Sequence, residues 1–505
     1  MNLTCVKAIV AAGALVAAGS WQVIAADPEV EDLKAQLKVL QAKFADLEKE
    51  KEKEKAAADA KGGEASPEAL NDQQGAAPRP EGSGAAAGEA QPAPEMPPAP
   101  IPEGRQSPVT PRGAFNDEQE AAPRPDDLTL DPKFLGFIQI PRTPVIIKFN
   151  AKPRVDFTWD PKNTGDNTRF ITAKIPVEGD PDEGGSSVFN INAKGSRLSI
   201  DVRAPKVAGT PRFYFENDFY GSGSSEFNFR VRHIYGQIYN IIVGQTFSVF
   251  EDPDIWPDTV DFEGPNSQLS NRQPLVRYQL PLSEQWTLNF GLEQPGSQPA
   301  DYYDGATTTS VSGDNRAPDG GVNARWELAK VGHVQFSSIF RGIGSKKFSA
   351  GGQDFDSDSV FGWGLNLGGG FHVLERDSVQ AQVTYGEGIG SYGNDTSFFK
   401  TDAAFDEDGD LVALPYFGVM LGYTHWWFEQ WRSSVSYGYV NMDSEISQGP
   451  DAYEQTHYAS LNLVWQIRKR LSVGLEGLYG RNEVQSGEDG DAWRVQVGVI
   501  YKLFD

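Results

Sequence analysis

The chain has 505 residues, a net charge of −25 and only 39% hydrophobic residues, yet it contains 53 glycines and 11% aromatic residues. So acidic a chain repels phosphate, which argues against nucleic-acid binding, and its single cysteine excludes a disulfide scaffold and a cysteine-ligated metal centre. It is also too polar overall for a bundle of membrane helices.

Residues 1–26 predict a signal peptide. Lys7 precedes a small apolar run over residues 8–18, and Val23 and Ala25 suit a signal-peptidase site. The run is short for a membrane-spanning helix, although an uncleaved N-terminal anchor stays open as the alternative. We therefore expect the protein to be exported.

Residues 27–55 predict a short coiled-coil helix. Apolar residues recur in steps of three and four along one seam, namely Val30, Leu33, Leu37, Leu40, Phe44 and Leu47. A single amphipathic helix bound to a partner is the alternative interpretation. Because so few heptads associate weakly by themselves, we expect a second assembly interface elsewhere in the chain.

Residues 56–130 predict a disordered linker rich in Pro, Ala and Gly. The segment holds 13 of the 33 prolines and has too little apolar surface to offset the entropy lost on folding. It is typical of a semi-extended spacer, and recognition of its prolines by a partner is the alternative.

Residues 131–505 predict an all-β domain, a transmembrane antiparallel β-barrel of about 16 strands. Apolar and polar residues alternate, as where Val155, Phe157 and Trp159 oppose Arg154 and Asp156. The connections between strands are alternately long and short, which a soluble sandwich does not explain and a membrane barrel does. Aromatic residues cluster at strand ends, as an interfacial girdle requires, at Trp426, Trp427, Trp431, Tyr437 and Tyr439.

Several motifs of this domain are shared with a known family: Ile140–Thr143, Gly244–Phe247, Asp252–Asp254, Pro257–Pro265, Arg272–Pro274, Leu414–Gly418 and Tyr423–Trp427. On these motifs the region 133–505 resembles the DcaP-like family of trimeric outer-membrane porins. The resemblance implies a sixteen-stranded barrel, a homotrimer, and diffusion of small anionic solutes such as dicarboxylates. It also allows for an N-terminal coiled coil. Asp505 departs from the pattern, because such barrels usually end on an aromatic residue.

The polar faces of the first nine predicted strands carry more cations than anions. The predicted pore-lining basic residues are Lys148, Lys152, Arg154, Arg197, Arg203, Arg212, Arg230, Arg232, Arg277, Arg325 and Arg341. Against them we place only Asp156, Asp201, Glu216, Asp218 and Glu327. Because guanidinium groups stay charged and bind carboxylates, the excess favours passage of anions. Alternatively, the arginines only neutralise acids in the lumen and stiffen the barrel.

The long connection at residues 248–274 predicts a constriction loop that folds into the channel. Its charged residues are Glu251, Asp252, Asp254, Asp258, Asp261, Glu263 and Arg272. We hypothesise that these acids face part of the arginine wall and produce a transverse field. The alternative is that they cap turns and never reach the pore.

No motif for catalysis is present, neither a GxSxG elbow nor HExxH nor a P-loop, so we expect no enzyme, no cofactor and no metal site. The run Asp406–Asp410 partly resembles a calcium loop but lacks the remaining ligand spacing, which favours a solvated turn.

Together these features predict an outer-membrane porin of a Gram-negative-type bacterium, with its N-terminal segment in the periplasm. We expect passive diffusion of small, preferentially anionic solutes through a homotrimer embedded in outer-membrane lipid. Two alternatives remain, a general or sugar-selective porin and a mainly structural barrel tethered to the cell wall through the N-terminal segment.

Overall fold

The computed structural model describes residues 136–223, 227–329, 331–374 and 376–503. The predicted signal peptide, coiled coil and linker lie outside the described residues, as do Phe504 and Asp505. These predictions therefore remain predictions, and the described residues all belong to the predicted C-terminal domain.

The first half of the domain contains strands β1 to β13. Their bounds are β1 (Ile138–Gln139), β2 (Ile146–Lys152), β3 (Arg154–Asp160), β4 (Val188–Asn192), β5 (Arg197–Arg203), β6 (Arg212–Asp218), β7 (Arg230–Ile238), β8 (Ile241–Phe247), β9 (Arg272–Pro281), β10 (Trp286–Glu293), β11 (Tyr302–Tyr303), β12 (Thr308–Thr309) and β13 (Asp319–Leu328). These strands are mostly seven to ten residues long, which suits tilted strands that cross a bilayer.

The second half contains longer strands and most of the short helices. The strands are β14 (Gly332–Ser345), β15 (Phe348–Ala350), β16 (Gln353–Phe355), β17 (Asp358–Val373), β18 (Asp377–Glu387), β19 (Ala403–Phe405), β20 (Leu411–Ala413), β21 (Pro415–Phe428), β22 (Trp431–Met442), β23 (Tyr453–Arg468), β24 (Leu471–Val484) and β25 (Asp489–Tyr501). The described 3₁₀ helices are Thr172–Lys174, Pro253–Ile255, Gly390–Tyr392, Thr396–Phe398 and Ile446–Gln448. None of the helices in the described ranges has the length and hydrophobicity needed to cross a membrane.

Nineteen of the described strands form one antiparallel sheet that closes on itself. Neighbours in the chain pair with each other, and the last strand, β25, pairs with β3 through Val495 opposite Trp159 and Ile500 opposite Arg154. Pro153 lies between β2 and β3 because it has no N–H to donate to a ladder. Closure leaves no open sheet edge, which is the condition for backbone in lipid.

The connections alternate in length, as the sequence predicts. Short turns at 239–240, 282–285, 429–430 and 469–470 lie at one end of the barrel, and at the other end the chain makes long loops such as 161–187 and 248–271. Tyr239 and Leu374 adopt positive φ angles of 49° and 57°, which tight turns demand. This alternation is typical of outer-membrane barrels.

The barrel is apolar outside and polar inside. Outward-facing Phe149, Phe189 and Trp493 are 51%, 63% and 56% exposed, whereas inward-facing Asp156, Arg232 and Arg494 are 4%, 0% and 1% exposed. At the short-turn end, Trp286 stacks on Trp326, with ring centroids 5.6 Å apart. A water-soluble domain shows the opposite arrangement, so this surface is built to contact lipid.

Candidate functional site: an inward-folded loop and an arginine-rich wall

Residues 248–271, the inner loop, lie inside the barrel. Asn and Gln side chains on the barrel strands donate hydrogen bonds to backbone carbonyl groups of this loop. Asn323 donates to Val249 (2.7 Å), and Asn462 donates to Asp258 (2.7 Å). The side chain of Gln382 likewise donates to a carbonyl of the loop. These donors belong to β13, β23 and β18, so the loop crosses the inner faces of the second half of the barrel.

Glycines in β17 make room for the inner loop. A Cβ atom on Gly364 would lie 2.8 Å from Phe250, and one on Gly368 would lie 2.5 Å from Ile255. Phe250 and Ile255 are completely buried, so the close approach is part of an apolar contact. Any larger residue at these glycines would push the loop away from the wall.

The first acids of the inner loop are paired with β13 and β14. Arg325 lies 3.0 Å from Asp252 and 3.0 Å from Asp254, and it also pairs with Glu327 at 2.7 Å. His333 Nε2 lies 2.7 Å from Asp252. The ligand atoms of Asp252, Asp254 and His333 lie within 4.8 Å of one another, as a metal site would require. Arg325 serves as the cation of this group of acids, although its single charge offsets Asp252, Asp254 and Glu327 only in part.

The later acids of the inner loop contact other parts of the chain. Asp258 accepts a charged hydrogen bond from Arg432, which is 1% exposed, and Glu263 lies 3.7 Å from Arg169. Glu251 accepts the backbone N–H of Asn271. Arg432 is not among the predicted pore-lining residues, which come from the first nine predicted strands, although the alternation of polar and apolar residues along β22 indicates that it faces inward.

Strands β2 to β7 form what we call the arginine-rich wall. It carries eight of the eleven predicted basic residues, namely Lys148, Lys152, Arg154, Arg197, Arg203, Arg212, Arg230 and Arg232. The acids on the same strands number five, namely Asp156, Asp160, Asp201, Glu216 and Asp218. Asp160 pairs with Arg494 of β25 rather than with the wall. The wall therefore has more cations than anions.

Many arginines of the wall are engaged by its own acids. Asp201 lies 2.7 Å from Arg203 and 2.8 Å from Arg212. Asp218 lies 2.6 Å from Arg230 and 2.8 Å from Arg232. Because several arginines share single carboxylates, pairing fixes the guanidinium positions without cancelling the excess positive charge.

The inner loop meets this wall at Phe262. Four guanidinium carbons lie 5.6–5.9 Å from the centre of the Phe262 ring, and they belong to Arg154, Arg197, Arg230 and Arg232. Tyr220 packs on the same ring, with centroids 4.2 Å apart. An aromatic face attracts cations, so Phe262 holds the cluster together without neutralising it.

The other three predicted basic residues anchor segments of backbone and loops. Arg277 donates to the carbonyl of Phe247, where the inner loop begins, and Arg325 fixes the loop acids as described above. Arg341 pairs with Asp319 and Asp402, each at 2.9 Å. Sequence reasoning did not separate these anchors from the wall, because all of them share the same strand periodicity.

A model of the family described as "DcaP outer membrane protein" matches residues 139–503. The chain belongs to the DcaP outer membrane protein family. The match covers nearly all of the described barrel, so the resemblance inferred from sequence motifs is confirmed.

Several solved structures are similar to the chain, and the first of those below shares its fold. The outer membrane channel DcaP of Acinetobacter baumannii is 20% identical, with a TM-score of 0.63 over 73% of this chain and 100% of that one. An anion-selective porin from Comamonas acidovorans is 13% identical, with a TM-score of 0.45 over 71% of this chain and 100% of that one. OmpF of Salmonella typhi, in a complex with daunomycin, is 11% identical, with a TM-score of 0.44 over 72% of this chain and 100% of that one. No curated protein sequence matches the chain.

In this DcaP family member, the motif Pro257–Pro265 forms the far end of the inner loop. There Glu476 of β24 accepts the backbone N–H groups of Val260 (3.0 Å) and Asp261 (2.5 Å). Asp261 in turn accepts the N–H of Gly264 at 2.9 Å. Two buried acidic residues, Asp261 and Glu476, therefore come together although they lie 215 positions apart, and no local pattern of residues indicates this contact.

The loop anchor at Asp261 should weaken in alkali. Burial raises the pKa of the Asp261 carboxyl to about 7, and the charge of Glu263 adds to this effect. Because the unfolded value is about 3.9, the stabilising contribution of neutral Asp261 is complete below about pH 4 and is lost as the pH rises through 7. We expect the unfolding temperature to fall between pH 6 and pH 9, and Asp261→Asn to reduce that fall. Thermal unfolding in detergent across this range measures it.

The control for this experiment is Asp304→Asn in an exposed loop. Hydrogen bonds from Thr307 and Ala306 lower the pKa of Asp304, so this group is ionised throughout the alkaline range. If the unfolding temperature fell by the same amount between pH 6 and pH 9 in the wild type and in Asp261→Asn, Asp261 would not control the anchor.

The acidic run Asp406–Asp410 forms the turn of the β19–β20 hairpin. The Asp406 carboxylate accepts the N–H groups of Asp408 (3.0 Å) and Asp410 (2.9 Å). The geometry is that of an Asx-type turn, in which the aspartate completes the loop itself.

Proposed function

We propose that the domain forms a water-filled outer-membrane channel for passive diffusion of small, preferentially anionic solutes such as dicarboxylates. Family membership and fold point to a channel rather than an enzyme. For the described residues we infer sixteen membrane-crossing strands. The nineteen strands of the sheet give this number when β2 and β3 are taken as one strand, β4 and β5 as another, and the two-residue β1 is left out.

One observation carries the preference for anions: the acids in the first half of the inner loop pair with the second half of the barrel and not with the arginine-rich wall. The loop acids Asp252, Asp254 and Asp258 are directed at Arg325 and Arg432 behind the loop. They therefore offset little of the charge on β2–β7. A cationic surface bounded by low-dielectric walls raises the local concentration of anions.

A general or sugar-selective porin is the second candidate. The ion pairs within the arginine-rich wall favour this candidate. Arginines that are paired with Asp201 and Asp218 can narrow the passage without selecting solutes by charge. The hypothesis of a transverse field also stays open, since Glu263 and Phe262 lie next to each other at the wall end of the loop. A structural barrel tethered by the N-terminal segment is compatible with either channel.

Planar-bilayer recording of the full chain tests these proposals together. A homotrimer of channels should close in three equal conductance steps. In a gradient of potassium chloride, the sign of the reversal potential should be that of an anion-selective channel. Added dicarboxylates should block the chloride current. A cation-selective reversal potential would contradict the anion channel but leave the general porin, and an absence of conductance would contradict both.

A further inference from the structure

Three consecutive exposed basic residues mark the passage from β23 to β24 at the short-turn end of the barrel, namely Arg468, Lys469 and Arg470. We call them the basic rim. The turn at 429–430 lies beside them, because the N–H of Gln466 donates to the carbonyl of Gln430 at 2.8 Å. Among the described residues of these two turns, Glu429 is the one acid. The basic rim therefore carries an excess of positive charge.

Other connections at the same end of the barrel do not share this charge. The turns at 239–240 and 282–285 contain no basic residue, and Glu284 makes the second of them acidic. The connection at 204–211 lies at this end as well, since Gly209 accepts the N–H of Tyr239 at 2.9 Å, and it contains a single cation, Lys206. Within the described turns, three adjacent cations thus occur at the basic rim and not around the whole end.

Aromatic side chains lie next to the basic rim on the outer face of the barrel. Trp431 of β22 stacks on Trp465 of β23, with ring centroids 5.2 Å apart and planes 6° apart. Tyr501, which is 44% exposed, pairs with Leu471, the residue that follows the rim. Trp and Tyr side chains settle at the boundary between hydrocarbon and headgroups. The aromatic belt therefore places the basic rim at the depth of the lipid headgroups.

The combination of charge and apolar surface matches one kind of partner. Trp427 and Phe428, beside the 429–430 turn, are 56% and 72% exposed, so apolar surface extends to the level of the turns. Long basic side chains can lie along such a surface while their charged ends reach the headgroups. A guanidinium binds phosphate oxygens with two parallel hydrogen bonds. The complementary partner has acyl chains and a negatively charged headgroup.

We propose that the basic rim is a binding site for anionic phospholipids. The lipid phosphate lies on Arg468 and Lys469, and the acyl chains lie against the Trp431–Trp465 stack. In outer-membrane barrels the short turns are on the periplasmic side, where the leaflet consists of phospholipids. The site is on the outer face of the barrel, so it does not depend on which solutes or ions pass through the interior.

Titration of the full chain in detergent with two phospholipids of the same acyl chains tests the proposal. Phosphatidylglycerol carries a net negative charge, whereas the choline group of phosphatidylcholine cancels the charge of its phosphate. Native mass spectrometry measures the apparent affinity for the first bound lipid. We expect the wild type to bind phosphatidylglycerol about tenfold more tightly, because a few basic residues near an anionic headgroup give a preference of that order.

The double variant Arg468→Gln/Lys469→Gln should bind phosphatidylglycerol no more tightly than phosphatidylcholine. Its matched control is Lys346→Gln/Lys347→Gln, which removes two adjacent exposed cations after β14, at the long-loop end of the barrel. The control should keep the tenfold preference. A full preference in the Arg468/Lys469 variant would show that the basic rim is not the site.

Equal affinities for the two lipids in the wild type would overturn the proposal, and this comparison decides even where a variant fails to fold. Soluble glycerol 3-phosphate is the third arm of the experiment. At the concentration of the lipid it should leave phosphatidylglycerol bound, because it has no acyl chains to place on the aromatic belt. Complete displacement would assign the rim to free phosphate esters and would contradict a lipid site.

Discussion

The double substitution Arg230→Gln/Arg232→Gln is expected to remove most of the proposed preference of the channel for anions. Arg232 bridges Glu216 (3.0 Å) and Asp218 (2.8 Å), and Arg230 binds Asp218 from the other side. The double variant removes two cations and also releases the two carboxylates that they held. The wall on β2–β7 then changes from eight cations and five acids to six and five, with its acids no longer masked.

The expected magnitude is a fall of about tenfold in the permeability of chloride relative to potassium, because local ion concentration follows wall potential steeply. Reversal potentials in a potassium chloride gradient measure it. Arg277 is left intact, since its bond to Phe247 supports the inner loop rather than the wall.

A matched variant separates charge from damage to the fold. Arg232 is completely buried, so its loss leaves the carboxylates of Glu216 and Asp218 buried with fewer partners, which destabilises the folded barrel. Adding Glu216→Gln and Asp218→Asn removes those carboxylates and restores the original charge balance. This quadruple variant should stay anion-preferring. An unchanged permeability ratio in the double variant would show that the wall is not the filter.

Arg325→Ala is expected to release the first half of the inner loop and increase the single-channel conductance. Arg325 is the shared partner of Asp252 and Asp254, both buried, and removing it leaves two carboxylates with too little compensation. Breaking a buried pair in this way costs about 3–5 kcal/mol. The unfolding temperature should therefore fall as the conductance rises.

Arg316→Ala is the matched control for this substitution. Arg316 lies 2.8 Å from Asp314, but the two side chains are 47% and 32% exposed. A surface pair of this kind contributes about 0–1 kcal/mol, so neither conductance nor stability should change noticeably. If Arg325→Ala lowered stability without any change in conductance, the inner loop would not be the element that limits flow.

For the arginine-rich wall, the local sequence pattern was enough to predict which residues face the inside of the barrel. Alternation along β2 to β7 identified Arg154, Arg197 and Arg232 as inward residues, because a period of two decides the face of a strand without knowledge of its neighbours. The same reasoning placed Arg277, Arg325 and Arg341 on the inner face. It did not distinguish residues that line a passage from residues that hold a loop.

The contacts of the inner loop show where local pattern stops. Asp258 meets Arg432 across 174 residues of sequence, and Asp261 meets Glu476 across 215. Such pairings depend on the path of the loop through the barrel interior, which glycines such as Gly364 and Gly368 leave clear. Composition and periodicity carry no information about that path.

The sequence by itself therefore determined the class of fold, the order of long and short connections, and the distribution of polar and apolar faces. Each of these follows from strand periodicity and turn length, which are local properties of the chain. Only the tertiary structure decided which cations the acidic residues inside the barrel are paired with. The loop acids are buried against Arg325 and Arg432, so the interior can present an arginine-rich wall although the whole chain has a net charge of −25. The physical reason is that burial and pairing, not the total charge, set the field that a solute meets.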